Sequence, residues 1–308
     1  MTKANNMHFG IELTQMQALV AEGLKGGGHW CDLFFEDTSY SELMLRDGEV
    51  SAGGSHVDYG CGVRVLKGEK TGYAYAESTD YPALLAAARS ASAIALSSVA
   101  HKPQNVGTLP GTPLQPDLSR NYYPMREDWR STEAARFVPV LRRLEALIRS
   151  KEGSVHKVIA MLSHQVSEIM MYNSLGELST DTRPVGSISV TVIFVRGGRT
   201  EMSNASRSFR AGAEMITDTL LEDLAAKVTE GMDERFEARR PKGGKMPVVM
   251  AAGASGILLH EAMGHAFEAD FNRKGQSIFA DKMGKQVAAR GINIIDDATV
   301  PGNRGALN

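Results

Sequence analysis

Residues 260 to 265, HEAMGH, place two histidines and a glutamate within six positions of one another. Zinc sites take neutral imidazole nitrogens as ligands, and a carboxylate beside the metal can deprotonate a bound water. The segment supplies both kinds of group within two helical turns, which makes it a candidate hydrolytic metal site. A hydrogen-bonded cluster in a protein core is the alternative interpretation, because a pattern this short also occurs by chance.

The spacing of the two histidines differs from the familiar H-E-x-x-H helix, in which they lie four residues apart. His260 and His265 lie five residues apart. Residues four apart on an α-helix differ in direction by about 40°, whereas residues five apart differ by about 140° and face different sides. A single π-turn takes in one extra residue and brings the two into line. Because Gly264 tolerates such a distortion at low cost, the sequence predicts a distorted helix.

The helix that carries this motif is predicted to begin near Ser255, a good N-cap residue, and to run to about Asp270. An apolar strand, MPVVM, precedes it and is followed by a glycine turn. We expect the helix to be buried, because it is apolar on most sides and follows an apolar strand. A charged linker with two prolines and a glycine pair, residues 233–247, separates this region from the rest of the chain.

The remainder of the chain alternates amphipathic helices with strand-like runs. The helical patterns cover 11–25, 80–99, 132–152 and 212–232. The strand-like runs cover 31–36, 41–51, 59–66, 70–76, 154–164, 166–184 and 186–198, with hairpin signals at RDG, KGEK and NSLG. A Pro- and Gly-rich stretch at 101–125 is predicted to be a surface excursion, and no internal repeat is evident.

These patterns predict an α+β fold in two parts. Residues 1–235 form an N-terminal domain of antiparallel sheets with flanking helices. Residues 236–308 form the start of a second, β-rich domain whose first helix carries the H-E-x-x-x-H motif.

Composition narrows the class of protein. The 308 residues include 34 Lys and Arg against 36 Asp and Glu, which gives no electrostatic argument for nucleic acid or an anionic membrane as partner. The two cysteines exclude a disulfide framework and fit a reducing compartment. There is neither an apolar run long enough for a membrane span nor the apolar core of a signal peptide, so we expect a cytoplasmic protein.

The sequence around the motif resembles the TldD-like branch of the TldD/PmbA (TldE) family of zinc metallopeptidases. The segments that carry this resemblance are HEAMGHAFEADFNRKGQS at 260–277, GVRVLKGEKTGYAYA at 62–76, YNSLGELSTDTRP at 172–184 and IIDDATVPGNRGALN at 294–308. The resemblance implies that His260 and His265 are zinc ligands and that Glu261 is the general base. It also implies peptide hydrolysis, with small or unfolded peptides held by their backbone, in a homodimer or a heterodimer with a TldE-like subunit.

One departure from the family pattern concerns the third zinc ligand. In the family this ligand is a cysteine near the C-terminus, whereas this sequence stops at Asn308 and is expected to lack most of the C-terminal domain. Cys31 and Cys61 are interpreted as packed core residues. From the residues alone Glu268 is the first candidate for the ligand, whereas the resemblance favours a role beside the ligands.

Two interpretations therefore stay open. The first is a zinc peptidase in which Arg273 contacts a peptide carboxylate, although Arg273 could equally contact the last carbonyls of the motif helix. The second is a catalytically incomplete chain that binds a peptide or a TldE-like partner without cleaving.

Overall fold

The computed structural model describes residues 8–97, 121–253 and 255–307. By their contacts these residues divide into two compact units. The described part of unit 1 comprises residues 8–97, 121–238 and 297–307, and that of unit 2 comprises 239–253 and 255–296. The predicted domain boundary at 235/236 stays a prediction. Most of the predicted surface excursion at 101–125 lies outside the described residues.

Unit 1 is built on one six-stranded antiparallel sheet with helices, which confirms the predicted α+β fold. Its helices are α1 (Leu13–Leu24), α2 (Tyr81–Ser97), α3 (Phe137–Lys151), α4 (Asp218–Thr229) and α5 (Met232–Glu237). Its strands are β1 (Trp30–Arg46), β2 (Glu49–Lys67), β3 (Lys70–Ala76), β4 (Val155–Asn173), β5 (Leu178–Arg196) and β6 (Arg199–Phe209). Single 3₁₀ turns lie at Trp129–Ser131, Ala134–Arg136 and Ala213–Met215.

The order of the elements repeats, although the sequence shows no repeat. A helix, three strands and a helix (α1-β1-β2-β3-α2) are followed by the same series (α3-β4-β5-β6-α4). The strands lie in the order β3-β2-β1-β4-β5-β6, so the first strand of each series pairs with the first strand of the other at the centre of the sheet. The described part of unit 1 therefore contains two copies of one αβββα arrangement.

The strands are longer than the sequence pattern indicated. Residues 31–36 and 41–46 belong to the single strand β1, and 49–51 and 59–66 belong to β2. The RDG turn is confirmed between them: Asp47 and Gly48 have φ of 50° and 77°, the left-handed pair of a two-residue hairpin. The polar residues 37–40 of β1 pair with residues 56–59 of β2. Both strands therefore continue through the polar stretches that had suggested their ends.

Each αβββα series has its own hydrophobic core, and the two cores lie on one face of the sheet. β1 contributes Leu33 and Phe35 to the first core and Leu43 and Leu45 to the second. Side chains alternate between the two faces of a strand, and these four positions are all odd, so they share a face. Helices α1 and α2 supply most of the helical side chains of the first core, and α3 and α4 supply those of the second.

Gly72 on β3 allows α2 to approach the sheet closely. A Cβ atom added at Gly72 would overlap the carbonyl oxygen of Ala91 and lie 2.6 Å from the backbone nitrogen of Ala95. Both atoms belong to the α2 backbone, which cannot move aside as a flexible side chain can. An alanine here would therefore displace α2 from β3.

We predict that Gly72→Ala lowers the free energy of unfolding by at least about 1–3 kcal/mol, the cost of overpacking a closely packed site. Gly54→Ala on β2 is the matched control, because an added Cβ there meets no atom within 4 Å. Urea denaturation followed by circular dichroism measures both variants. Equal midpoints for the two variants would contradict this account of the α2 contact.

Candidate metal centre

The motif lies in unit 2 on a helix whose geometry changes three times within a few residues. A short α-helix, α6 (Gly256–Leu259), continues directly into a π-turn at His260–Gly264 and then a 3₁₀ turn at His265–Phe267. The chain leaves helical geometry at Glu268, which has ψ of 132°. A last short helix, α7, covers Ala269–Arg273.

The predicted π-turn is confirmed by the backbone hydrogen bonds. The N–H of His265 donates to the carbonyl oxygen of His260, five residues earlier, and shares this bond with the oxygen of Met263. The imidazole of His260 lies over Gly264, where an added Cβ would stand 3.2 Å from Nδ1. Glycine at this position therefore leaves room for the ring on the same side of the helix as His265.

The π-turn brings the three motif side chains together. The rings of His260 and His265 meet edge to face with their centroids 4.5 Å apart. One potential ligand atom from each of His260, Glu261 and His265 lies within 4.8 Å of the other two. Over the described part of the chain, no other group of three His, Cys, Asp or Glu side chains is arranged closely enough to hold a metal ion. Two imidazoles and a carboxylate fit a hydrolytic metal ion by donor type.

His265 lies between two carboxylates. Its Nδ1 is 2.5 Å from Oε1 of Glu268, and its Nε2 is 3.7 Å from Oε2 of Glu261. The hydrogen bond to Glu268, and then the negative charges of Glu268 and Glu261, raise the pKa of His265 above its ordinary value. The negative charges of these two carboxylates beside the ring favour a bound cation.

Two predictions about the surroundings of the motif are wrong, and a third is confirmed in part. The side chains of Ile257, Leu258 and Leu259 are 64%, 58% and 49% exposed, so the helix is not buried among the described residues. The MPVVM segment forms no strand, because no described strand pairs with it. The predicted start is confirmed, because the helix begins at Gly256 directly after Ser255, although the Ser255 hydroxyl donates to the carbonyl of Ala251 and does not cap the helix.

The exposed motif borders a cavity of about 790 Å³ within unit 2. One wall is His260 with neighbouring residues of the motif segment, and the other is the segment 286–296. The lining residues are His260, Met263, Gly264, Phe267, Glu268, Gln286, Val287, Ala288, Ala289, Arg290, Gly291, Ile292, Ile294, Ile295 and Asp296. The sequence predicts no role for this second wall, since its residues show no spacing typical of a site.

Arg273 and the two cysteines, the other candidate residues, are not among the lining residues of this cavity. Arg273 is exposed at the end of α7 and is not part of the lining. Cys31 and Cys61 are 0% and 3% exposed and belong to the first hydrophobic core of unit 1. Burial raises the pKa of each thiol to about 12. A metal-binding cysteine must be deprotonated, so neither environment suits a ligand.

Three models of one family match this chain. They are the PmbA/TldA metallopeptidase domain 1 at residues 31–95, the central domain at 127–232 and the C-terminal domain at 243–307. Two curated relatives, the metalloprotease TldD homologs of Haemophilus influenzae and Buchnera aphidicola (strain APS), are 31% and 30% identical over 90% of this chain. The chain spans 58% and 57% of the lengths of these relatives.

Solved structures show the same fold. TldE from Thermococcus kodakarensis superposes with a TM-score of 0.62 at 14% identity, over 87% of this chain and 58% of that one. A Thermotoga maritima structure superposes with a TM-score of 0.66 at 18% identity, over 89% of this chain and 60% of that one.

None of the helices in the described residues is both long and apolar enough to cross a membrane.

We predict that both thiols of the native chain react with Ellman's reagent at least about 100-fold more slowly than those of the unfolded chain, because the thiolate is the reactive form. The double variant Cys31→Ala, Cys61→Ala should bind zinc as tightly as the unaltered chain. Rapid labelling of the native thiols, or a loss of zinc affinity in the double variant, would contradict their assignment to the core.

The chain has the α+β fold of these structures and carries the H-E-x-x-x-H group. It also matches the three family models at successive positions along its length. It belongs to the PmbA/TldD metallopeptidase family and is similar to its TldD-like members.

Proposed function

We propose that this chain is a zinc-dependent peptidase that hydrolyses small or unfolded peptides. The observation that carries the proposal is the convergence of His260, Glu261 and His265, with their donor atoms within 4.8 Å of one another. Hydrolytic zinc sites use imidazole nitrogens and a nearby carboxylate in this way. The TldD-like metalloproteases to which the chain is similar are consistent with this chemistry.

The three motif residues have separate roles in the proposed reaction. His260 and His265 would hold the ion through their ring nitrogens, and the bound zinc would polarise the scissile carbonyl and lower the pKa of water. Glu261 accepts the proton of the attacking water at a carboxylate oxygen and donates it to the nitrogen of the departing amine. Amide hydrolysis requires this transfer, because without the added proton the nitrogen would have to leave as an amide anion, which is a poor leaving group.

The proposed substrate enters beside His260. The cavity of about 790 Å³ has the volume for a short stretch of peptide and is lined mostly by apolar groups, including Met263, Phe267 and Ile292. Arg273 stays a predicted contact for a peptide carboxylate.

We further propose that the protein acts in the cytoplasm as a homodimer or with a TldE-like subunit. The similarity of its fold to TldE supports this arrangement.

We predict that Glu261→Gln lowers kcat for peptide hydrolysis by at least about 100-fold, since a general base contributes a factor of this size. Zinc affinity should change little, because both imidazole ligands remain. The measurement combines cleavage of an unstructured peptide, followed by mass spectrometry, with a zinc titration of the same protein.

Glu234→Gln is the control for this variant, because Glu234 is an exposed carboxylate on α5 in unit 1. It should hydrolyse the peptide at the unaltered rate. Removal of zinc by a chelator should abolish cleavage, and added zinc should restore it. Glu261→Gln that retains full activity would refute the assigned base.

A second candidate function is peptide or partner binding without cleavage. It is favoured by the donor set, since the described residues offer two histidines and one carboxylate but no accessible thiol at the motif. Zinc held by two imidazoles alone would be bound loosely. Peptide cleavage by the zinc-loaded chain with no other subunit present would exclude this function, whereas binding without cleavage would favour it.

A further inference from the structure

His265 is held at its Nδ1 side by a group that the proposed reaction does not use. Oε1 of Glu268 lies 2.5 Å from Nδ1, well within hydrogen-bond distance. On the other side of the ring, Nε2 lies 3.7 Å from Oε2 of Glu261, which is beyond a hydrogen bond. Of the two ring nitrogens, Nδ1 is therefore the one that bonds to a carboxylate.

The backbone around Glu268 is fixed by several hydrogen bonds. Its N–H donates to the carbonyl of His265 at 3.3 Å, and its own carbonyl accepts from the backbone N–H of Asn272 at 3.1 Å. The side-chain nitrogen of Asn272 bonds at 2.9 Å both to that carbonyl and to the carbonyl of Ala266. The chain thus turns out of the helix at Glu268 in a defined way, and this turn directs the carboxylate back to the ring of His265.

The position of Glu268 argues against a role as the third metal ligand. Its carboxylate bonds to Nδ1, whereas the group of converging donor atoms consists of His260, Glu261 and His265. A carboxylate ligand would have to lie with the other donors, near Nε2 of His265. The observed contact instead matches the carboxylate–histidine–metal arrangement, in which the carboxylate orients a ligand and sets its tautomer.

We propose that Glu268 is a positioning residue for the metal centre. Its carboxylate accepts the Nδ1 proton of His265, so that a neutral ring keeps Nε2 unprotonated and directed towards Glu261, where the ion would bind. This inference rests on the proposed function, since it assigns Nε2 of His265 to the metal. It concerns the tautomer of the metal-free chain as well, and can therefore be tested without zinc.

The first test measures the tautomer of His265 by ¹⁵N NMR in the metal-free chain, at a pH at which the imidazole is neutral. The unaltered chain should show the Nδ1–H form. Glu268→Met removes the acceptor at similar size and should shift the ring towards the Nε2–H form, which a free neutral imidazole favours. Asp270→Asn is the control and should change nothing, because Asp270 pairs with Lys274 at 3.6 Å. An Nε2–H form in the unaltered chain, or no shift in Glu268→Met, would overturn the proposal.

The second test titrates the same proteins with zinc alone. Glu268→Met should weaken zinc binding by about 10- to 100-fold, the usual effect of losing a group that orients a metal ligand. Glu268→Gln keeps an acceptor oxygen, so it should retain the Nδ1–H form and most of the zinc affinity. Equal losses in the Gln and Met variants would show that charge, and not the accepted proton, matters, and would overturn the positioning role.

The two tests also separate this proposal from the proposed function. If His260→Ala and His265→Ala bind zinc as tightly as the unaltered chain, the metal centre fails and the positioning role fails with it, whatever the tautomer. If both histidines are needed for zinc but Glu268→Met changes neither tautomer nor affinity, only the positioning role of Glu268 is refuted.

Discussion

The proposed metal centre depends on one extra residue between two histidines. On a regular α-helix, residues five apart point about 140° away from each other, so His260 and His265 could not share an ion. The π-turn at His260–Gly264 removes this difference, and the rings meet with centroids 4.5 Å apart. Gly264 makes the turn compatible with the ring that lies over it. Glu261 is brought to the same side, and the helix then ends where Glu268 can reach back to His265.

Local signals were sufficient to predict much of unit 1. The periodic apolar positions of α1 to α4 and the turn residues Asp47 and Gly48 act within a few residues, so the sequence indicates them directly. The lengths of β1 and β2 depend on partners far along the chain, which is why polar stretches in the middle of both strands suggested breaks. The repeated αβββα order was not predictable either, since each copy fills its own core with different side chains.

At the candidate site, too, the features set by neighbouring residues were predictable, whereas those that depend on distant partners were not. The spacing of His260 and His265, together with Gly264, predicted the π-turn because helix geometry is a local constraint. Burial of the motif and a strand at MPVVM were expected from apolar character alone, yet both require partners, and the described residues provide none. Cys31 and Cys61, by contrast, were predicted to be packed core residues and are buried in the first core of unit 1, where Cys31 also lies against Gly23 of α1. The contact between Glu268 and His265 follows from where the helix ends, which spacing alone did not reveal.

The most direct test of the metal centre is zinc X-ray absorption spectroscopy on the zinc-loaded chain and on its His260→Ala and His265→Ala variants. The account predicts two imidazole ligands in the unaltered chain and one fewer in each variant, with weaker binding. An unchanged number of imidazole ligands in either variant would contradict the central claim that the π-turn brings these two histidines to a single ion.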